Sequence, residues 1–229
     1  MVVGIHQPNF LPWLGYFDKI KKSDVFILLD DVQFSKGSVG NRNKLKTDKG
    51  TDTWMTVPLK HPKGTFGSYI DMQVDYQSKW NTKLLGVFHS YYRKAPFYKQ
   101  VRELLEPILQ KEFDSLATLN IALIESLCSV LELSTKMIRS SDVPIEVNDK
   151  NQRILELCQH VGADVYLSGQ GARSYNDEPL FNSKGISIVY QEYQHPVYDQ
   201  INGPFVSNLS VVDALFNLGF ESTRALIKG

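Results

Sequence analysis

The sequence predicts an α/β fold in which a Rossmann-like parallel sheet is flanked by helices. Residues 2–7 and 24–30 are short apolar runs, and residues 14–22 between them repeat apolar side chains at helical spacing. A strand, a helix and a second strand in this order form a unit whose strands lie parallel in one sheet. The same alternation returns near the C-terminus, which extends the prediction to the whole chain.

The composition is consistent with one domain that spans residues 1–229. The 229 residues are 42% hydrophobic, which is enough for a sizeable core. Lys plus Arg (25) balance Asp plus Glu (25), so no overall field favours a nucleic-acid partner. We find neither a signal-peptide pattern nor an apolar run of about 20 residues that could span a membrane, and we expect a cytoplasmic protein. Cys128 and Cys158 lie in helix-like apolar stretches and are predicted to be buried thiols.

The middle of the chain divides into a polar segment and a helical one. Residues 31–75 are rich in Gly, Lys, Asn, Asp and Thr, and only 53–59 and 68–74 are strand-like. We expect a polar flap or small β insertion there, facing the substrate. Residues 77–133 are predicted to be mainly helical, in three stretches at 77–92, 97–112 and 115–133.

The remaining elements complete the sheet. We predict strands at 136–139, 164–168 and 186–191, a capped helix at 148–160, and a pair of short amphipathic helices over 210–229.

Several motifs carry a family resemblance. They are HQPNFLPWLGYF at 6–17, LDDVQF at 29–34, NRN at 41–43, WMTVP at 54–58, YYRKAPF at 91–97 and GADVYLSG at 162–169. With these motifs the chain resembles the WbqC-like family over nearly its whole length. The resemblance implies a role in bacterial O-antigen or surface-polysaccharide biosynthesis, and a glycine-transferring activity has been suggested for a member.

The first motif is the main candidate for a site, because ligands of parallel sheets bind beyond the carboxyl ends of the strands. Its prolines restrict the loop, and its glycine permits close backbone approach at a helix start. We expect a catalytic role for His6 as a base and for Tyr16 as a hydrogen-bond donor. The predicted binding residues of this loop are Gln7, Asn9 and Gly15.

The same loop loosely resembles the first motif of HIGH-type nucleotidyltransferases. Trp13-Leu14-Gly15-Tyr16 stands where that motif has His-x-Gly-His, so both of its histidines are absent. The alternative for Pro12, Trp13 and Tyr16 is that they only pack the helix against the sheet.

Two carboxylates follow the second predicted strand. Asp30 and Asp31 could hold a substrate amine, a ribose hydroxyl or Mg²⁺, and Asp30 is a second candidate base. Because adjacent strand residues diverge, only one should face the site, and an equally supported alternative is a turn residue bonded to backbone. Gln33 belongs to the same motif and is predicted to bind substrate.

Two further clusters suit an anionic ligand. Asn41, Arg42 and Asn43 lie among Lys36, Lys44 and Lys46, and an arginine there could grip a diphosphate; the alternative is a solvated loop. After the predicted strand at 164–168, an anion cradle or nest is predicted from Ser168, Gly169, Arg173 and Tyr175, with a simple tight turn as the alternative for the glycines.

Other chemistries lack their motifs. No zinc-ligand spacing, P-loop or Gly-x-Ser-x-Gly is present, and we predict no dedicated metal site. His61, His89 and His195 are widely separated, and for His89 on its predicted helix a structural role is favoured.

The leading hypothesis is a transferase that attaches an aminoacyl group, such as glycyl, to the amine of a nucleotide-linked amino sugar. Its partners would be that sugar and an amino acid, with ATP and Mg²⁺ for activation if the HIGH-type likeness is meaningful. The alternatives are a nucleotidyltransferase or glycosyltransferase of the same pathway, and a non-catalytic nucleotide-sugar-binding or scaffold protein. The sequence leaves a homo-oligomer open.

Overall fold

The computed structural model describes residues 1–60 and 66–227. The strands are β1 (Val2–His6), β2 (Val25–Leu28), β3 (Arg42–Lys46), β4 (Asp52–Thr56), β5 (Lys136–Arg139), β6 (Val165–Ser168) and β7 (Ser187–Tyr190). Five of them form one sheet in the order β5-β2-β1-β6-β7, with every neighbouring pair parallel. The first strand lies in the middle and the chain adds strands on both sides of it, which is the Rossmann order. The predicted fold class is confirmed.

Helices cover both faces of this sheet. They are α1 (Leu14–Lys21), α2 (Trp80–Tyr92), α3 (Tyr98–Gln110), α4 (Leu116–Val130), α5 (Lys150–His160), α6 (Glu178–Asn182) and α7 (Val211–Leu226). Alternate residues of β2 separate two apolar cores: Phe26 and Leu28 pack with α1 to α4 and α7, whereas Val25 and Ile27 pack with α5 and α6. Within the described residues, each helix is too short or too polar to cross a bilayer.

Each predicted helix is found at its predicted place, whereas α6 (Glu178–Asn182) lies in a stretch without a predicted helix. The three stretches of 77–133 are α2 to α4, and the predicted C-terminal pair is α7, which is bent at Gly219 (φ 75°, ψ −175°). Cys128 and Cys158 are buried free thiols in the two different cores, as expected.

The polar segment differs from its prediction. It contains an antiparallel hairpin of β3 and β4, and β3 was not predicted because Arg42–Lys46 is almost entirely polar. The piece predicted at 68–74 has only isolated bridges, Gln33 to Ser68 and Leu59 to Val74. Residues 61–65, with His61, lie outside the described part of the chain.

Candidate functional site

The carboxyl ends of β1 and β6 meet where the strand order reverses. Gly4 pairs with Leu167, so the strand ends at His6 and Ser168 are neighbours. Connections leave β1 and β6 toward opposite sides of the sheet, which opens a crevice between them. We refer to this place, bordered by His6, Gln7 and Ser168, as the switch point.

His6 presents a neutral imidazole at the switch point. Its side chain is partly buried, its ring meets Tyr16 edge to face at 5.1 Å, and Nδ1 lies 3.0 Å from the Gln7 carbonyl oxygen. Burial, followed by the nearby charge of Lys19, lowers the pKa of His6 to about 4. With Nδ1 donating to Gln7, the free lone pair is on Nε2, which has no hydrogen-bond partner among the described residues. His6 can therefore accept a hydrogen bond or a proton.

Tyr16 holds the backbone of the first loop in place. Its buried hydroxyl donates to the Gln7 carbonyl oxygen at 3.0 Å, and burial raises the pKa of Tyr16 well above its usual range. The phenol therefore stays protonated and, as placed here, it positions the backbone that His6 also contacts.

Lys19 is a buried cation that sequence reasoning missed. Its side chain is 2% exposed, Nζ donates to the Ile5 carbonyl oxygen at 2.7 Å, and Nζ lies 5.9 Å from the centre of the Tyr166 ring. No carboxylate pairs with it in the described part of the chain, and burial lowers its pKa to about 7. A lysine at the end of a short helix is usually solvated, so nothing local in the sequence indicates this burial.

Gln191, directly after β7, ties a third strand end to the start of α1. Its Nε2 donates to the Gly15 carbonyl oxygen at 2.8 Å and to Asp18 Oδ2 at 2.7 Å. Asp18 Oδ1 and the Tyr193 hydroxyl are buried without hydrogen-bond partners among the described residues. Gly15 is required by packing, because a Cβ there would lie 2.3 Å from the Trp13 ring.

Asp30 and Asp31 are both held by arginines. Asp30 is fully buried and accepts from Arg139 Nε at 2.8 Å and from Ser141 N at 3.0 Å. Asp31 forms an ion pair with Arg153 and accepts from the Ser140 hydroxyl at 2.5 Å. In this structure they join β2 to β5 and α5, and neither is free to act as a base.

No three His, Cys, Asp or Glu side chains of the described residues cluster as metal ligands. With Asp30 and Asp31 paired to arginines, the chain's residues do not fit Mg²⁺ at this edge, and no step is derived through it.

The residues of the NRN motif separate. Asn41 donates to the Val57 carbonyl oxygen at 2.9 Å, and Asn43 donates to the Leu11 carbonyl oxygen at 2.8 Å, which holds the first loop in place. Arg42 bonds to the Gly37 carbonyl oxygen and stacks on Trp54. The predicted basic cluster is incomplete, because Lys46 is buried and donates to the carbonyl oxygens of residues 203 and 204.

The loop after β6 is more exposed to solvent than the first loop. Ser168 is buried and accepts from Asn176 Nδ2 at 3.0 Å, while Arg173 lies over the Tyr190 ring at 4.4 Å. Tyr175 is 63% exposed. Gly169 is extended (φ −78°, ψ 151°) with nothing within 4 Å of an added Cβ, so this glycine supplies space and not the left-handed residue of an anion nest.

The chain is similar in sequence to known proteins. The WbqC-like protein family matches residues 7–225. This range contains the first loop, the strands β2 to β7 and the start of each helix from α1 to α7. The chain belongs to the WbqC-like family. It is also 36% identical over 222 residues to a relative from Mycobacterium tuberculosis (strain ATCC 25618 / H37Rv) named "Uncharacterized protein Rv1507c", covering 96% of this chain and 95% of the relative. No solved structure matches the chain.

In this WbqC-like protein, the predicted residues fall into distinct groups. Those at or beside the switch point are His6, Gln7, Gly15, Tyr16, Ser168 and Gly169. Asn9 is buried within the first loop, and Gln33 has an exposed side chain whose backbone pairs with residue 68. The NRN motif belongs to the hairpin, Asp30 and Asp31 to the end of β2, and Arg173 and Tyr175 to the segment after β6.

Two other histidines, His89 and His195, make their contacts with residues outside the switch point. His89 Nδ1 is 3.1 Å from the Tyr98 hydroxyl on α3, and His195 Nδ1 is 3.0 Å from the Pro196 carbonyl oxygen.

Proposed function

We propose that this protein is a transferase of bacterial surface-polysaccharide biosynthesis that attaches an aminoacyl group, such as glycyl, to the amine of a nucleotide-linked amino sugar. The observation that carries the proposal is the neutral His6, with a free Nε2, at the reversal point of a Rossmann-order sheet. A neutral acceptor suits an amine substrate, because it binds an N–H without repelling a cationic form of the group.

Amide formation releases a proton, and His6 is placed to accept it. A neutral sugar amine attacks the activated carboxyl carbon of the amino acid, the C–N bond forms, and the activating group leaves with the electron pair of its bond. One proton of the former amine must then be removed. Nε2 accepts it, and Gln7 and Tyr16 keep the imidazole in the required tautomer through the shared carbonyl oxygen.

Positive potential at the same place supports an anionic substrate. Lys19 lies buried behind the end of β1 without a carboxylate partner among the described residues. The first turn of α1 also has no side-chain cap; the Tyr16 N–H donates to the Trp13 carbonyl oxygen at 3.0 Å, and the N–H groups of Leu14 and Gly15 have no side-chain acceptor. A diphosphate at the switch point would balance the charge of Lys19 and accept hydrogen bonds from the start of α1.

One observation favours the non-catalytic alternative, a nucleotide-sugar-binding protein. Asp30 and Asp31 are held by arginines, and a pKa of about 4 makes His6 a weak base. Binding without turnover would agree with that arrangement.

The test is a comparison of His6→Gln with His89→Gln. Glutamine keeps hydrogen-bonding groups but cannot take up the proton, so we expect turnover of UDP-glucosamine, glycine and ATP to fall about 10²- to 10⁴-fold at unchanged affinity. The exposed His89 lies on α2 and its variant should retain activity. Full turnover by His6→Gln would contradict the assignment.

The products of the same assay separate the alternatives. Aminoacyl transfer leaves the nucleotide-sugar bond intact and yields an amide. Release of UDP would indicate a glycosyltransferase, whereas transfer of a nucleotidyl group with loss of pyrophosphate would indicate a nucleotidyltransferase. Saturable binding with no product at all would favour the binding protein.

A further inference from the structure

A groove of about 250 Å³ lies beside the first loop, on the side of the hairpin. Its lining comes from Trp13, Val39, Asn43, Lys44, Trp54 and Asn208. It is smaller than the roughly 300–1,000 Å³ of sites that enclose a whole drug-sized ligand, so it has room for one ring system.

Two indole rings from different elements line this groove. Trp13 ends the first loop at the start of α1, while Trp54 lies in β4 and is 45% exposed. Trp54 pairs with Lys44 across the hairpin; the Arg42 guanidinium lies 4.2 Å and Lys44 Nζ 5.2 Å from the centre of the Trp54 ring, which still leaves this residue 45% exposed. Such an exposed tryptophan beside a second one is a surface on which a flat ring can stack.

Beside the groove, against the Trp54 ring, lies a positive charge that the described residues do not neutralise. Lys44 pairs with Asp52 at 2.6 Å, but no carboxylate pairs with Arg42, and Arg42 Nε is buried without a hydrogen-bond partner. Asn43 is saturated by its bonds to the backbone, whereas Asn208 directs its amide nitrogen to Ser207 and leaves its amide oxygen as an acceptor. A flat ring with an N–H and a nearby anionic group complements these features.

We infer that this groove binds the nucleobase of a nucleotide, stacked on Trp54 and Trp13, with the phosphate adjacent to Arg42. The inference rests on the proposed function, since the nucleotide is the one that carries the amino sugar. Trp13 joins the two places: it lines the groove, contacts Tyr193 edge to face at 5.0 Å, and packs on Gly15 at the start of α1. The diphosphate and sugar would then continue along the first loop toward His6.

The experiment is titration calorimetry of wild-type protein and three variants with UMP, UDP-glucosamine, pyrophosphate and glucuronic acid. Trp54→Ala removes a half-exposed ring from the hairpin, Trp54→Phe keeps a stacking face, and Val197→Ala, at a position 77% exposed, is the control for a lost surface apolar group. We expect Trp54→Ala to weaken UMP and UDP-glucosamine about 5- to 150-fold, with a smaller effect of Trp54→Phe and no effect of Val197→Ala. Pyrophosphate, which has no base, should bind both wild type and Trp54→Ala equally.

The outcomes separate this inference from the proposed function. Unchanged UDP-glucosamine affinity in Trp54→Ala, with turnover still lost in His6→Gln, overturns the groove assignment alone. Base-dependent binding of UMP that disappears in Trp54→Ala, without any turnover of UDP-glucosamine, supports the groove and contradicts the transferase. Binding of glucuronic acid but of no nucleotide would assign the groove to an acidic sugar and overturn the inference.

Discussion

At the scale of single residues, His6 makes the free energy of unfolding depend on pH. Its pKa is about 4 in the folded protein and about 6.5 in an unfolded chain, so the folded state disfavours the charged ring. Its contribution to stability is complete above pH 6.5 and is lost as the pH falls to about 4. The difference corresponds to about 3 kcal/mol in the free energy of unfolding.

The first prediction compares urea unfolding of wild type and His6→Gln at pH 7 and at pH 4. Glutamine does not titrate, so wild type should lose about 3 kcal/mol relative to the variant over this interval. Two curves that stay parallel from pH 7 to pH 4 would show that His6 titrates normally in the fold.

Contacts between residues that are far apart in the sequence determine which candidate side chains are free to bind a ligand. Asp30 and Asp31 looked like ligand-facing carboxylates because they follow a strand, but Arg139 and Arg153 bind them from more than a hundred positions away. Lys19 looked like an ordinary helix-end cation, and only the packing of neighbouring strands buries it. No local pattern encodes either result.

At the scale of elements, a buried network around Asp213 joins the hairpin to the helical layer. The carboxylate of Asp213 accepts from the hydroxyls of Tyr92 and Tyr198 at 3.3 Å each, and the Tyr92 hydroxyl accepts from Lys46 N at 2.9 Å. This connects α7, α2, β3 and the segment before α7. Burial raises the pKa of Asp213 to about 6, although its hydrogen bonds oppose the shift.

The second prediction follows from the raised pKa of Asp213. The protonated form is favoured in the fold, so its stabilising contribution is complete below about pH 3.8 and is lost as the pH rises through 6. We expect wild type to lose about 2 kcal/mol relative to Asp213→Asn between pH 4 and pH 7, measured by chemical denaturation. A wild type that keeps or gains stability relative to Asp213→Asn from pH 4 to pH 7 would contradict the raised pKa.

The third prediction concerns the bend of α7. Gly219 has φ 75°, and an added Cβ would lie 2.7 Å from the Phe97 ring, so Gly219→Ala should destabilise the fold by about 1–3 kcal/mol. Gly86 in α2 has nothing within 4 Å of an added Cβ, and Gly86→Ala should stabilise by about 0.5–1 kcal/mol. Equal effects of the two variants in thermal unfolding would mean that the bend is not required.

At the scale of the whole molecule, the sequence was sufficient for the class of fold. Buried parallel strands are continuous apolar runs, and β1, β2, β6 and β7 were predicted on that basis. The hairpin strand β3 was missed because its polar residues bind carbonyl groups of the first loop and of residues 203 and 204, which lie far away in the sequence. The place of the candidate site was predictable, since strand ends collect at one edge, whereas its free and occupied groups were not.

The most direct test of the central claim is hydrogen exchange measured by mass spectrometry, with and without saturating UDP-glucosamine. We predict slower exchange in residues 6–16 and 165–173, which border the switch point, and no change in α3 (Tyr98–Gln110). Protection confined to other segments, in a protein that demonstrably binds the ligand, would contradict a site at the switch point of the sheet.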